Sequence, residues 1–172
     1  KKIKIFKPLK VVILSTGNEL LNPGSKINQG KRYDSNRFIL SSQLKSLNCK
    51  VIDLGIFKDN LELIKNVIVR NSLDSDMIIT SGGASKSDED FVNKIIHEIG
   101  NIYISKIRVK PGKPLIIGRV KKSIIVGLPG NTAAMFTIFI RIIKPLILMM
   151  SGATNYLPNY YYVESGFSHK KK

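Results

Sequence analysis

Met77-Ile-Ile-Thr-Ser-Gly-Gly-Ala-Ser-Lys-Ser-Asp-Glu-Asp90 decides how the chain is read. A short apolar run, Met77 to Ile79, stops at Thr80-Ser81-Gly82-Gly83. Two hydroxyls, Ser85 and Ser87, and an acidic cluster, Asp88, Glu89 and Asp90, come next, and an amphipathic pattern starts at Phe91. The order is strand, glycine turn, polar loop, helix. In an open α/β sheet, ligands bind where such turns leave the carboxyl ends of the strands. Paired glycines let the backbone approach a ligand and leave N–H groups free to point at anions. The same stretch also reads as an ordinary turn with an acidic residue capping the next helix.

The pattern repeats on both sides. Val11-Val-Ile-Leu14 is a continuous apolar run suited to a strand buried on both faces, and it ends at Ser15-Thr16-Gly17-Asn18-Glu19. Residues 20–35, with Asn22-Pro23-Gly24 and Gln29-Gly30, read as a long loop. Asp34-Ser35-Asn36 offers caps for a helix over about 36–48, with Phe38, Ile39, Leu40, Leu44 and Leu47 on its apolar side. Val51 to Ile56 is the next strand. It ends at Lys58-Asp59-Asn60, where Asn60 can cap a helix running to about Ser72. Phe91, Ile95, Ile96 and Ile99 mark a helix stopped by Gly100, and Ile102 to Ile104 with Ile107 make a further strand. Lys110-Pro-Gly-Lys-Pro114 must be a loop. Leu115 to Ile117 and Ser123 to Val126 form a hairpin about Lys121-Lys122, and Leu128-Pro-Gly-Asn131 turns into a last helix capped by Asn131.

Strands alternating with helices predict an α/β fold, a three-layer αβα domain on a mostly parallel central sheet. Four polar junctions then share one sheet edge: Ser15 to Glu19, Lys58 to Asp59, Ser81 to Asp90, and Leu128 to Asn131. That edge would collect Glu19, Asp59, Asp88 and Asp90 with Lys110 and Lys113. Carboxylates and ammoniums beside glycine turns suit a metal-bridged phosphate site, with hard oxygens for Mg2+ and lysines for phosphate.

Composition narrows the class. A chain of 172 residues with 43% hydrophobic and 23% charged side chains fits one globular domain. Its single cysteine, Cys49, cannot form an intrachain disulfide and reads as core, which fits a reducing compartment. The net charge of +16 comes from scattered lysines with no arginine-rich stretch, so a cleft for anionic small molecules is expected rather than nucleic-acid binding. His97 reads as a surface residue, and no zinc-type cluster or Ser–His–Asp set is visible. Ala133 to Met150 is the most apolar stretch, but Arg141, Lys144 and Pro145 interrupt it, so a buried helix is expected and no membrane span. The chain opens in mid-pattern and reads as a piece of a longer protein: residues 1–10 as an incoming linker or strand, 11–152 as the domain, and 153–172 as the start of a truncated β domain.

Ser15-Thr-Gly-Asn-Glu-Leu20, Tyr33-Asp-Ser-Asn36, Ile79-Thr-Ser-Gly-Gly-Ala-Ser85 with Asp90, Lys110-Pro-Gly-Lys-Pro114 and Gly127-Leu-Pro-Gly-Asn131 occur in this order. Together they resemble the molybdopterin-binding domain of the molybdenum insertases: bacterial MoeA, the plant E domain and gephyrin. The resemblance implies a fold shared with the MogA-like adenylyltransferases. It also implies hydrolysis of adenylylated molybdopterin, with Mg2+, as molybdate is inserted. The motifs carry Glu19, Asp59 and Asp90 over as acidic catalytic residues, with Asp59 and Asp90 as metal ligands. Lys106, Lys110 and Lys113 carry over as its basic residues. Thr16, Gly17, Ser81, Gly82, Gly83, Ser85, Pro129, Gly130 and Asn131 are the remaining expected substrate contacts. The resemblance implies a homo-oligomer in the cytoplasm, with the pathway's adenylyltransferase as a candidate partner. A gephyrin-like peptide scaffold and an adenylyltransferase of the same fold are the alternatives. Three positions depart from the family pattern: Asn18 stands for its usual Asp, Ser87 for a Gly, and Thr132-Ala-Ala134 for Pro-Val-Ser.

Overall fold

The structure is a computed structural model and describes residues 2–82, 89–109 and 114–168, with the side chains of Glu89 and Asp90 outside the description. The elements in chain order are β1 (Lys10–Thr16), β2 (Leu20–Leu21), β3 (Arg32–Tyr33), α1 (Asn36–Ser46), β4 (Lys50–Phe57), α2 (Leu61–Asn71), β5 (Met77–Ser81), α3 (Glu89–Ile99), β6 (Asn101–Ile104), β7 (Ile116–Val120), β8 (Ser123–Leu128), α4 (Thr132–Ile138) and, after a π-helical turn at Phe139–Ile143, α5 (Lys144–Met150).

Six strands form one sheet in the order β4-β1-β5-β8-β7-β6. β4, β1, β5 and β8 run parallel, while the hairpin partner β7 is antiparallel to both β8 and β6. The carboxyl ends of β1, β4, β5 and β8 therefore meet at one edge, as the four polar junctions require. The opposite edge receives the starts of these strands.

Residue alternation along the strands builds the layers. Val11, Ile13, Met77, Ile79, Val126 and Leu128 face a core closed by Leu40 and Leu44 of α1 and by Met135, Ile138, Phe139, Ile143 and Ile147 of the last helix. Val12, Leu14, Ile78, Ile116 and Ile125 face the other way, onto Ile64 and Ile68 of α2 and Val92, Ile95 and Ile96 of α3. Each such aliphatic side chain taken out of water contributes about 1.5–3 kcal/mol. Cys49 belongs to the first core, and its burial pushes the thiol pKa up.

Two caps stand where the side chains place them. Asn60 accepts from the Leu63 N–H at 2.9 Å and Asn131 from the Ala134 N–H at 3.0 Å. α1 departs from expectation. Ser35 makes no side-chain cap, and Phe38 is 50% exposed while Arg37 turns inward at 7%. The reason is electrostatic: Arg37 finds two carboxylates on the inner side. The 20–35 loop is also more ordered than a turn sequence suggests, because β2 and β3 pair in parallel and the Arg32 N–H reaches Glu19 O at 2.9 Å.

The stretch Thr132–Met150 is one helical rod of 19 residues, long and apolar enough to cross a membrane by length and composition alone. Here one face of it lies in the sheet's core. Pro145 has no N–H to donate one turn back, and the widened π turn lies just before it. The described tail to Ser168 carries no helix or strand; Arg141 stacks on Tyr160 at 5.1 Å.

Candidate functional site

The site is built where β1 and β5 end side by side. Ser15 pairs with Ser81 in register, so both chains turn away from the sheet together. They turn in close contact. A Cβ on Gly82, whose φ is +87°, would lie 2.1 Å from Thr16 O. No other residue fits there without moving the β1 loop. Gly17, at φ +149°, is likewise crowded: a Cβ would meet Glu19 Oε2 at 2.6 Å.

The β1 loop is clasped to the β4 loop. The Asn18 N–H donates to Asp59 Oδ2 at 3.0 Å, and the Asp59 N–H returns a bond to Asn18 Oδ1 at 3.3 Å. The Gly17 N–H donates to Phe57 O at 3.1 Å. Glu19 points elsewhere and accepts from Arg32 Nη2 at 2.6 Å.

A pocket of about 60 Å3 opens between the segment from β3 into α1, the end of β5 and the turn after β8. Arg32, Asn36, Ser81, Gly82, Gly130 and Thr132 line it, with Asp34 beside them. Asn36 is tied from both ends: its amide donates one N–H to Gly130 O at 2.9 Å and its carbonyl accepts from the Thr132 hydroxyl at 2.8 Å. Asp34 is used as well, since Arg37 Nε donates to Asp34 Oδ2 at 3.0 Å. Arg37 also donates to Asp53 Oδ2 at 2.6 Å and to Asn22 Oδ1 at 2.8 Å. Burial opposes the Arg37 charge, but the bonds to Asp53 and Asp34 outweigh it and hold the guanidinium pKa above its ordinary value. Arg37 thus nails the 20–35 loop to β4 and keeps Asp34 neutralised at the rim.

Two hydroxyls at this edge remain unsatisfied. Among the described residues, Ser15 Oγ and Ser81 Oγ are buried side-chain atoms with no hydrogen-bond partner. A buried polar atom left in this way costs about 1–3 kcal/mol, which is spent where a ligand can recover it.

The structure brings Thr16, Gly17, Ser81, Gly82, Pro129, Gly130 and Asn131 to the one edge expected for them. Ser81, Gly82 and Gly130 share the pocket, Glu19 reaches it through Arg32, and Asp59 is tied to Asn18. Asn131 is spent as a helix cap. Lys106 is exposed, in the segment after β6. Gly83, Ser85, Lys110 and Lys113 lie outside the described residues, as does the Asp90 side chain; its backbone is in the first turn of α3. Among the described residues no three His, Cys, Asp or Glu side chains group to hold a metal ion. Arg32 and Asn36 are pocket residues that the sequence reading left out. The Tyr33-Asp-Ser-Asn36 motif pointed to the region, but Asn36 finds its partner Gly130 94 positions away.

A mostly parallel sheet covered on both faces, with tight glycine turns and, among the described residues, two unpaired hydroxyls at its carboxyl edge, defines an α/β domain with its candidate site at the carboxyl ends of the strands. The chain belongs to the molybdenum-cofactor biosynthesis family described as a probable molybdopterin binding domain, whose pattern matches residues 12–149. It is 36% identical over 151 residues to a molybdopterin molybdenumtransferase from Haemophilus influenzae, covering 88% of this chain and 37% of that one. It is 31% identical to the molybdenum cofactor synthesis protein cinnamon from Drosophila melanogaster, covering 88% of this chain and 25% of that one. The chain therefore spans about a quarter to just over a third of the length of these relatives. Among solved structures, a MoeA molybdopterin-biosynthesis protein from Pyrococcus horikosii superposes with a TM-score of 0.75 at 34% identity, over 84% of this chain and 36% of that one. Molybdenum cofactor biosynthesis protein B superposes at 0.64 with 17% identity, over 87% and 97% of the two chains, a likeness of fold alone.

Proposed function

We propose that this chain is the pterin-binding unit of a molybdopterin molybdenumtransferase. In this reading it holds adenylylated molybdopterin at the carboxyl edge while molybdate is inserted. The observation that carries the reading is the pair of buried, unpartnered hydroxyls, Ser15 and Ser81, behind a glycine turn that excludes any side chain. Family membership then names the ligand class. Ser81 and the neighbouring backbone would receive oxygen atoms of the substrate. Lys106, Lys110 and Lys113 would offset its phosphate and molybdate charge, and Asp59 with Asp90 would act on the reacting phosphate.

Mg2+ belongs to the reading only in part. Glu19 is paired with Arg32, Asp59 is tied to Asn18, and the described carboxylates do not make a divalent-cation site by themselves. An ion would need Asp90 beside Asp59. The reading places the protein in the cytoplasm, as a homo-oligomer fed by the pathway's adenylyltransferase.

Anaerobic calorimetric titration with adenylylated molybdopterin tests the proposal. Saturable binding should survive moderate salt and should not be displaced by RNA. Binding that collapses with salt as phosphate-backbone binding does, or no binding at all, would show a merely cationic surface and sink the assignment.

A further inference from the structure

Arg32 stands between a carboxylate and a pocket, and its surroundings leave it little else to do. In this structure it pairs with Glu19 at 2.6 Å, yet both side chains are open to solvent, Arg32 at 55% and Glu19 at 36%. An ion pair that exposed is weakly held and readily exchanged. On its other side Arg32 lines the pocket, and its Nη2 lies 3.3 Å from where a Cβ on Gly130 would sit. The glycine is what lets the guanidinium lie over that turn.

The remaining polar groups of the pocket can be assigned one by one. Asn36 and Thr132 bond each other, and Asn36 also holds Gly130 O. Asp34 gives both oxygens to Arg37, at 3.3 Å to its N–H and 3.0 Å to Nε, so its charge is partly offset by a guanidinium that it shares with Asp53. Among the described side chains of the pocket, the Arg32 guanidinium is the one cation with N–H donors to spare and the Ser81 hydroxyl the one buried group with no partner, while the second Asn36 N–H and the exposed Ser35 hydroxyl are further neutral donors. Ser81 is 1% exposed and its Oγ has no partner. A fork of N–H donors and a buried hydroxyl lining one pocket suit a tetrahedral oxyanion, which a guanidinium binds in two-point fashion. The pocket, at about 60 Å3, exceeds the roughly 30 Å3 share of a single water and has room for such a group.

We infer that Arg32 is an exchange residue: it recognises a tetrahedral oxyanion together with Ser81, and in turning to it releases Glu19. This rests on the pterin-site reading and deepens it. The carboxylate becomes available when the anion is seated and is neutralised otherwise. The oxyanion is a phosphate group of the substrate or molybdate itself, since the two share shape and charge.

The sign of one substitution separates this from an ordinary surface ion pair. The 172-residue chain is titrated with inorganic phosphate and, separately, with molybdate, following amide shifts by NMR. Arg32→Ala should weaken oxyanion binding about tenfold or more, Arg32→Lys should restore part of it, and Ser81→Ala should weaken it at an unchanged melting temperature. Glu19→Gln should tighten binding several-fold, because the guanidinium no longer has to leave a carboxylate. Competition between the two anions tells which one the pocket prefers. Binding of neither anion, or equal affinity in Arg32→Ala, overturns the inference, and so does Glu19→Gln that weakens binding or leaves it alone. Titration with adenylylated pterin keeps the two readings apart. Oxyanion exchange without pterin binding upholds the inference and removes the proposed function; pterin binding indifferent to Arg32→Ala does the reverse.

Discussion

The two edges of the sheet bury the same kind of side chain and treat it in opposite ways. At the edge where the strands begin, Ser72, Ser75 and Ser123 are fully buried and fully bonded. The Ser123 hydroxyl lies 3.0 Å from that of Ser75, meets Ser75 O, and is 3.2 Å from Ser72 O, while Ser75 Oγ also donates to Asn71 O at 2.8 Å. At the edge where the strands end, Ser15 and Ser81 are equally buried and, among the described residues, bond nothing. β5 joins the two conditions within a few residues, from Ser75 just before its start to Ser81 at its end. Burial alone therefore does not mark the site. What marks it is burial without satisfaction, beside glycines that keep side chains out.

The carboxyl edge can hold unpaired hydroxyls only if its frame is rigid, and Arg37 is the centre of that frame. Its side chain is 9% exposed and bridges Asp34, at 2%, and Asp53, at 33%. Arg37→Met should produce the largest effect, a loss of about 3–5 kcal/mol, because it strands the buried Asp34 carboxylate and leaves Asp53 beside it unpaired. Urea unfolding gives the number. Adding Asp34→Asn and Asp53→Asn to that variant should recover much of the loss. If the triple variant is no better than the single, the network is not what Arg37 contributes.

The serines test the comparison directly. Ser123→Ala removes a bonded hydroxyl whose one proton serves the Ser72 and Ser75 carbonyls and leaves a buried carbonyl short of a donor, so it should cost about 1–3 kcal/mol. Ser81→Ala removes a hydroxyl that bonds nothing, so stability should stay level or rise slightly. Oxyanion affinity should move the other way, falling for Ser81→Ala and holding for Ser123→Ala. Equal destabilisation by the two substitutions would erase the distinction between the edges.

Much of this was readable from the chain. Continuous apolar runs such as Val11 to Leu14 and Met77 to Ile79 can be buried only on both faces of a parallel sheet, and alternation then assigns each residue to a layer. Asn60 and Asn131 announced their helices because a cap acts within three residues, a range that sequence displays. The errors lie where the deciding partner is remote. Periodicity turned Phe38 inward because it could not see Asp53 waiting for Arg37. Arg32 draws no notice in the sequence, since its partners are Glu19, 13 positions before it, and the turn at Gly130 across the fold. Glu19 reads from the sequence as a candidate site residue, but its pairing with Arg32 does not show there.

The smallest expected effect lies at the strand-start edge and tests whether its satisfaction extends to charge. Asp74 is bonded to the Lys10 ammonium and lies 3.9 Å from that of Lys122, while the Asp76 carboxylate accepts from the Lys10 N–H at 2.8 Å. The hydrogen bond from Lys10, helped by its charge, holds the Asp74 carboxyl below its ordinary pKa. A carboxyl whose folded-state pKa is depressed contributes stability above its unfolded pKa, near 4, and loses it as pH falls through the lower folded value. Asp74→Asn should therefore lower the melting temperature slightly at neutral pH and flatten its decline below about pH 4. The group is 79% exposed, so the difference should be smaller than that for Ser123→Ala, and it should shrink in about 1 M salt, where screening acts within roughly 3 Å. Melts at pH 7 and pH 3, in low and high salt, decide it. An Asp74→Asn deficit that persists unchanged at pH 3 would mean that the side chain matters there for its shape or its neutral hydrogen bonds, and the charge at this edge would drop out of the comparison.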